Sequence, residues 1–189
     1  MIDINRGNLL TAEADALVNT VNTVGVMGKG IAEQFKRAYP ANFAAYRAAC
    51  QQGRVRLGEM FVFDSGRLGP RRYVINFPTK EHWRTRSCLT DIGSGMADLV
   101  RVVGDLGLAS VAVPALGCGN GGLDWRDVRP VIESAFARMP GIKVLLFPPG
   151  GVDSGRVDMG GDGASGGARC PSSANAAALS CPEHASGLP

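Results

Sequence analysis

Short apolar runs and amphipathic stretches alternate along the first 150 residues of the chain. Five runs of four or five residues consist mainly of apolar residues, and each of them predicts a strand in a sheet. They cover 16–19, 60–63, 73–77, 110–113 and 143–147. The connection between the second and third runs is rich in Gly, Pro and Arg, which is typical of a turn region between strands.

Helix-like stretches lie between these runs. Their apolar positions recur at a helical period, and the predicted helices cover 30–38, 41–51, 90–106 and 124–139. In the first helix Ile31, Gln34, Phe35 and Ala38 share one face, and Pro40 ends the helix. Because strands and helices alternate, we predict an α/β fold with a sheet covered by helices on both faces. Such folds bind ligands beyond the carboxyl ends of their strands.

The composition changes sharply near residue 150. From residue 152 to residue 189, Gly, Ala, Ser and Pro supply 23 of the 38 residues, and no Phe, Trp or Tyr occurs. Such a segment buries too little apolar surface to offset the entropy of ordering it. We therefore predict one folded domain over 1–150 and a disordered tail over 151–189. The folded part carries 18 Lys and Arg against 13 Asp and Glu, and its positive charge suits an anionic ligand.

The composition disfavours several classes of protein. No apolar run reaches the roughly 20 residues that span a membrane, and the first ten residues lack the basic and apolar segments of a secretory signal. The five cysteines are an odd number without a Cys-x-x-Cys pair, which argues against a disulfide framework and a zinc ribbon. We expect a cytoplasmic protein with no membrane partner, and we predict neither a metal site nor a cofactor.

Two glycine-rich loops follow predicted strands and open into helices. The first runs from Asn19 to Gly30 and the second from Pro114 to Leu123. Glycine lets the backbone come close to a ligand, and successive N–H groups at a helix N-terminus form a site for anions. Glycines also serve simple tight turns, but two such loops at equivalent positions favour a ligand with two phosphates.

Four segments resemble the macrodomain family, whose members bind ADP-ribose. The segment 16–22 resembles the first strand of the family, and 113–125 resembles its second phosphate-binding loop. Two motifs are similar to the branch that contains the DarG antitoxin and the terminal ADP-ribose glycohydrolase: Gly28-Lys-Gly-Ile31 followed by Phe35-Lys36, and Asn76-Phe-Pro-Thr-Lys-Glu-His-Trp-Arg84. The resemblance spans about residues 1–150 and implies a three-layer α/β/α fold with a mixed central sheet.

The resemblance also implies an ADP-ribose site. Asn8 and Leu9 match the segment that contacts adenine, Asn22 matches the asparagine beside the distal ribose, and Lys80 matches the lysine that carries the activity of the branch. The other residues expected to bind ADP-ribose are Asn19, Gly25, Val26, Met27, Gly28, Gly30, Ile31, Thr79, Leu116, Gly117, Cys118, Gly119, Asn120 and Gly121.

The chemistry of a lysine leaves two roles open for Lys80. A neutral amine could attack the anomeric carbon and form a Schiff-base-type adduct, if burial or a neighbouring cation lowers its pKa. An ammonium could instead stabilise negative charge on the leaving base. The plain alternative to both is a solvated lysine at the end of a strand.

An aromatic residue among cations follows Lys80 and indicates a contact with nucleic acid. His82, Trp83, Arg84 and Arg86 could stack on an unpaired base and hold DNA phosphates. The alternative is a surface turn in which Trp83 packs into the core.

Two positions depart from the pattern of the family. Gly121 stands where the terminal ADP-ribose glycohydrolase has an aspartate that assists its lysine, and Asp124 lies three residues further on. Asn8 stands where many macrodomains have an aspartate for the adenine amino group, although an amide oxygen can also accept that bond. The first departure favours the antitoxin-like variant of the branch.

The sequence therefore predicts a hydrolase that removes ADP-ribose from thymidine in DNA and so undoes the action of a partner toxin, a DNA ADP-ribosyltransferase. Two alternatives stay open. One is a reader that binds ADP-ribose without cleaving it. The other is a hydrolase of ADP-ribosylated protein carboxylates or of small ADP-ribose metabolites. The predicted ligand is free ADP-ribose or ADP-ribosylated DNA.

Overall fold

A computed structural model describes residues 1–150, which form six strands and four α-helices. The strands are β1 (Ile2–Ile4), β2 (Ala16–Asn22), β3 (Phe61–Asp64), β4 (Tyr73–Lys80), β5 (Ser110–Pro114) and β6 (Lys143–Phe147). The helices are α1 (Gly30–Ala38), α2 (Pro40–Gln51), α3 (Leu89–Asp105) and α4 (Trp125–Phe136). A 3₁₀ turn covers Leu9–Thr11. The predicted tail over 151–189 lies outside the described residues.

The six strands form one mixed sheet in the order β1-β6-β5-β2-β4-β3. Among these strands only β3 runs antiparallel to its neighbour, and the other pairings are parallel. The parallel strands β2, β4 and β5 lie side by side, so their carboxyl ends meet at one edge of the sheet. The predicted α/β/α fold with a mixed central sheet is confirmed. None of the four helices described is long and apolar enough to cross a bilayer.

Alternating side chains of the central strands supply a core on each face of the sheet. Val18 and Val113 pack among residues of α3 and α4, whereas Leu17 and Ala112 pack with Phe35 of α1 on the opposite face. All five residues are fully buried. Because helices cover both faces, neither face needs polar residues, and this explains why the strands read as continuous apolar runs.

Several elements differ from the predicted ones, and three of the differences have a clear physical reason. The strand β1 was not predicted, because three residues are too short to carry a pattern. β4 extends to Lys80, since its ladder with β2 continues as far as Asn22. α4 ends at Phe136 instead of Met139, because Pro140 disfavours helical backbone at the residue before it.

Gly95 of α3 packs against the ring of Phe77, which is fully buried on β4. A Cβ at Gly95 would lie 2.3 Å from Cζ of Phe77. We expect Gly95→Ala to lower the free energy of unfolding by about 1–3 kcal/mol, the usual cost of overpacking a core. Gly93→Ala on the same helix is the matched control, since its Cβ would meet no atom within 4 Å and alanine favours a helix by about 0.5–1 kcal/mol. Urea unfolding measures both variants, and unchanged stability of Gly95→Ala would contradict this packing.

Candidate functional site

A cavity of about 990 Å³ opens at the carboxyl edge of the sheet. Both glycine-rich loops line it, together with the ends of β2, β4 and β5. Its lining residues include three cations, Lys29, Lys80 and Arg84, and no carboxylate. The volume lies at the upper end of the roughly 300–1,000 Å³ of small-molecule sites. An anionic ligand of nucleotide size suits both the charge and the volume.

Most of the predicted site residues line this cavity: Asn8, Leu9, Asn22, Val26, Gly28, Gly30, Ile31, Thr79, Lys80, Trp83, Arg84, Gly117, Gly119, Asn120 and Gly121. Sequence reasoning missed one wall, which is formed by Phe147, Pro148 and Pro149. These residues stand at the carboxyl end of β6, so the rule that ligands lie beyond the strand ends pointed to them.

The first loop is folded onto Asn22 at the end of β2. The Asn22 side-chain oxygen accepts the backbone N–H groups of Val24 at 3.1 Å and Val26 at 3.2 Å, and Asn22 Nδ2 donates to the Val26 oxygen at 2.6 Å. Beneath the loop, the Tyr46 hydroxyl donates to the backbone oxygen of Asn22, and burial raises the pKa of Tyr46. Asn22 thus shapes the loop with the same amide that was expected to orient the ribose.

The first loop approaches the second where α1 begins. Gly30 has a φ of 62°, and a Cβ there would lie 3.3 Å from Nδ2 of Asn120. Glycine is therefore required at this position. Lys29 precedes the helix and gives it no side-chain cap. The first backbone N–H groups of α1 thus remain available to an anion beside Lys29, Gly30 and Ile31, which line the cavity.

The second loop is held by the segment that joins β4 to α3. The backbone oxygens of residues 120–122 accept three successive hydrogen bonds. Lys80 Nζ donates to the first at 2.8 Å, the Ser87 N–H to the second at 3.0 Å and Arg86 Nη2 to the third at 3.2 Å. We call this set of bonds the carbonyl clamp. It ties the position of Lys80 to the position of the loop.

The clamped loop leaves a run of backbone donors unused. Within residues 1–150, the N–H groups of Gly119, Asn120 and Gly121 donate to no protein acceptor. These three residues line the cavity. Successive free N–H groups form a concave site for an anion, and Asn120 in this run lies close to Gly30 at the start of α1.

Gly121 has no room for a side chain. A Cβ there would lie 2.3 Å from the Gly117 oxygen and 2.3 Å from Ser87 Oγ. The aspartate of the related glycohydrolase therefore has no place at this position. Asp124 does not replace it, because its carboxylate caps α4 by accepting the Arg126 N–H at 2.8 Å. The second loop therefore places no carboxylate in the lining of the cavity.

Lys80 is the buried cation of the site, with 9% of its surface exposed. Its Nζ donates to the backbone oxygens of Asn120 at 2.8 Å and Thr85 at 3.2 Å. Burial lowers the pKa of Lys80, whereas two carbonyl acceptors favour the charged form. Lys80 is not a solvated strand-end lysine, and its ammonium is held where it can act on a ligand in the cavity.

The residues after Lys80 separate into three environments. Trp83 is 45% exposed at the rim of the cavity, so it does not pack into the core. The His82 ring lies 5.3 Å from the Trp83 ring, and Cζ of Arg84 lies 4.4 Å from the Trp83 centroid. Even within this stack, nearly half of the Trp83 surface remains exposed. Arg86 was expected at the same surface but serves the carbonyl clamp instead.

Seven predicted residues do not line the cavity: Asn19, Gly25, Met27, His82, Cys118, Leu116 and Arg86. Met27 and Leu116 are buried core residues. Cys118 packs against the core, and burial together with Asp124 and Asp127 raises the pKa of its thiol to about 11. None of these seven residues lines the cavity, whereas other residues of both loops do.

Asn19 and Gly25 have structural roles below the first loop. Asn19 Nδ2 donates to Asn76 Oδ1 at 3.0 Å, and Asn76 Nδ2 donates to Asn42 Oδ1 at 2.8 Å, which joins the sheet to α2. Gly25 has a φ of 81°, and its Cβ would lie 3.4 Å from Cβ of Cys50 on α2. The sequence predicted both residues beside the ligand, because no local sequence pattern shows that they contact α2.

Asn8 lines the cavity but already uses its side-chain oxygen. Asn8 Oδ1 accepts the Leu10 N–H at 3.0 Å and so caps the 3₁₀ turn. The amide oxygen that was expected to accept a bond from adenine is engaged in this cap. The Asn8 Nδ2 group remains as a donor at that end of the cavity.

Known proteins resemble this chain in sequence and in fold. The family model for the macro domain matches residues 18–132. The DNA ADP-ribosyl glycohydrolase of Mycobacterium tuberculosis is 56% identical over 151 residues, which are 80% of this chain and 43% of that protein. The solved macrodomain of Mycobacterium tuberculosis DarG has a TM-score of 0.78, and the match covers 79% of this chain and 98% of that one.

One relative is a fusion protein that is named for two activities. The DNA ADP-ribosyl transferase-DNA ADP-ribosyl glycohydrolase fusion protein of Thermosipho africanus is 32% identical over 163 residues, 78% of this chain and 42% of that protein. The structure of Thermosipho africanus DarTG in complex with ADP-ribose has a TM-score of 0.72 at 30% identity and covers 78% of this chain and 42% of that one. This chain spans less than half the length of both curated relatives.

Gly121→Ala tests the second loop as an anion site. The new Cβ would displace the loop from Ser87 and Gly117, so the loss of N–H donors should weaken ADP-ribose binding by about tenfold or more. Gly141→Ala is the control, because its Cβ would meet open space. Titration calorimetry measures the affinity and thermal unfolding checks the fold. Wild-type affinity in a folded Gly121→Ala protein would contradict the assignment of the loop.

Proposed function

The chain belongs to the macro domain family, and on that premise we propose that it hydrolyses the glycosidic bond between ADP-ribose and a base of DNA, with ADP-ribosylated thymidine as the preferred substrate. One observation carries the proposal: the buried Lys80 amine lies in a carboxylate-free cavity, bonded to a loop whose free N–H groups suit a diphosphate. The relative at 56% identity is named a DNA ADP-ribosyl glycohydrolase, and this supports the choice of DNA over a protein carboxylate.

The two loops bind the diphosphate in this proposal. The N-terminus of α1 and the N–H groups of Gly119, Asn120 and Gly121 approach it from two sides. Adenine lies towards Asn8 and the apolar wall at Phe147, and the distal ribose lies beside Asn22 and Lys80. The three cations that line the cavity offset the charge of the two phosphates.

Lys80 acts as an ammonium in the proposed reaction. Water forms the new bond to the anomeric carbon, the bond from that carbon to the base breaks, and the base takes the electron pair together with a proton. The ammonium stabilises the negative charge that develops on the leaving base. Two carbonyl acceptors on Nζ support this role over a neutral nucleophile.

A partner toxin follows from the same proposal. An enzyme that removes ADP-ribose from DNA requires a DNA ADP-ribosyltransferase as its counterpart, and the Thermosipho africanus relative carries both activities in one name. A DNA substrate also agrees with the cytoplasmic location that the sequence predicts.

Lys80→Ala should abolish release without abolishing binding. We expect release of ADP-ribose from an oligonucleotide ADP-ribosylated on thymidine to slow by about 10²–10³-fold, the usual loss of one electrostatic catalyst. The affinity for free ADP-ribose should fall by no more than about tenfold, because one cation and one clamp bond are lost while the backbone N–H groups of the two loops remain. Lys143→Ala, on the opposite edge of the sheet, is the control for the loss of a charge. If the wild type binds ADP-ribose but releases none from DNA or from modified protein, the chain is a reader and the proposal is wrong.

The pH dependence of release distinguishes the two roles of Lys80. Burial lowers the pKa of this amine below its ordinary value of 10.5. If the ammonium is the active form, the rate should stay level near neutral pH and fall as pH rises through that lowered pKa. A neutral nucleophile would instead make the rate rise over the same range, and borohydride would trap its adduct on Lys80. Single-turnover rates measured from pH 6 to pH 10, in steps of about one unit, decide between the two.

A further inference from the structure

A second cavity lies directly beside the first one. Its volume is about 440 Å³, within the range of small-molecule sites. Val24, Val55 and Leu57 form an apolar wall, Arg56 and His82 add groups that can donate hydrogen bonds, and Thr23 and Glu81 complete the lining. The segment between α2 and β3, far from the glycine-rich loops in sequence, supplies three of these residues. No part of the ADP-ribose site described above uses this cavity.

The two cavities are separated by the ends of β2 and β4. Asn22 and Lys80 line the first cavity, and the residues that follow them, Thr23 and Glu81, line the second. The Thr23 N–H and Oγ1 both donate to the Glu81 backbone oxygen, at 3.0 Å and 2.9 Å. This pair forms a narrow ridge. The lining of the second cavity therefore begins one residue beyond Asn22 and Lys80 on their two strands, next to a molecule bound beside Lys80.

The position of the ridge matters for the reaction. In the proposed function the distal ribose lies beside Asn22 and Lys80, so the bond that breaks lies at this end of the first cavity. The leaving group must extend away from the ribose, and the second cavity is the space next to that point. We propose, resting on the proposed function, that the second cavity binds the modified base itself, turned out of the DNA strand.

The chemistry of the second cavity fits a pyrimidine such as thymine. Its apolar wall can contact the ring and the C5 methyl group. The exposed Arg56 can donate to a base oxygen. His82 Nδ1 accepts the Arg84 N–H at 3.3 Å, so a neutral His82 carries its proton on Nε2 and can donate there. Donors suit the base, because thymine presents oxygen acceptors.

Residues at the rim of the first cavity can bind the nucleotides next to the modified base. Trp83 is exposed next to His82, and the guanidinium group of Arg84 packs over the Trp83 ring. A base turned out of a strand leaves its neighbours unstacked, and an exposed aromatic ring can stack on one of them. Trp83 and Arg84 are therefore assigned to the flanking nucleotide, whereas His82 and the second cavity are assigned to the modified one.

Leu57→Trp tests the inference by filling the second cavity. We expect release from thymidine-ADP-ribosylated oligonucleotide to fall by at least about tenfold, with the affinity for free ADP-ribose unchanged. Leu68→Trp adds the same bulk at a residue that is 96% exposed and outside both cavities, and it should behave as the wild type. The same loss must appear with ADP-ribosylated thymidine that is not part of a strand. A loss confined to the oligonucleotide would mean that the cavity holds a neighbouring nucleotide, and it would overturn the proposal.

Arg56→Ala gives a second test that does not depend on adding bulk. Removal of its hydrogen bonds should raise KM for the modified DNA by about tenfold and leave the affinity for free ADP-ribose unchanged. Arg54→Ala, two residues away and also exposed, removes the same charge and is the matched control. If Leu57→Trp misfolds and loses ADP-ribose binding, the comparison of Arg56→Ala with Arg54→Ala tests the proposal by itself. Equal KM values for these two variants would overturn the proposal.

Failure of the inference and failure of the proposed function give different results. If the wild type releases ADP-ribose from DNA and Leu57→Trp does so equally fast, the second cavity does not bind the base, and the proposed function stands. If the wild type releases none from DNA, the proposed function is wrong and the inference falls with it.

Discussion

The carbonyl clamp is the interaction on which the site depends. Three carbonyls of the second loop accept bonds from Lys80, Ser87 and Arg86, so the loop cannot shift without moving the segment that carries the lysine. The clamp satisfies the loop carbonyls and leaves a run of N–H groups for an anion. It also explains the requirement for glycine at 121, since any side chain there would meet Ser87 and the loop itself. The proposed diphosphate site and the position of Lys80 thus both depend on this one constraint.

Much of the fold could be predicted because both faces of the sheet are covered. Continuous apolar runs follow directly from that burial, and the strand ends then located the glycine-rich loops at one edge. The motif that ends in Lys80 gave the position of the cation. One acceptor of its Nζ, Thr85, is five residues away along the chain, but the other, Asn120, is forty residues away, and no local pattern encodes the contact with Asn120.

The predicted residues that lie outside the cavity do so for one shared physical reason. A residue within a ligand-binding segment can face the ligand or face the protein, and the segment alone does not distinguish the two. Asn19 joins an amide network under the sheet edge, Gly25 fits against α2 and Arg86 turns to the second loop. The second cavity was missed for a related reason, because Val55 and Leu57 reach the strand ends only through the tertiary fold.

A crystal structure of this chain with ADP-ribose bound would test the clamp and the proposed diphosphate site together. We expect phosphate oxygens to lie within about 2.7–3.2 Å of the N–H groups of residues 119–121. We also expect the three clamp bonds to persist and Lys80 Nζ to lie beside the distal ribose. A diphosphate bound elsewhere, or a clamp that opens and carries Lys80 away from the ribose, would contradict these expectations.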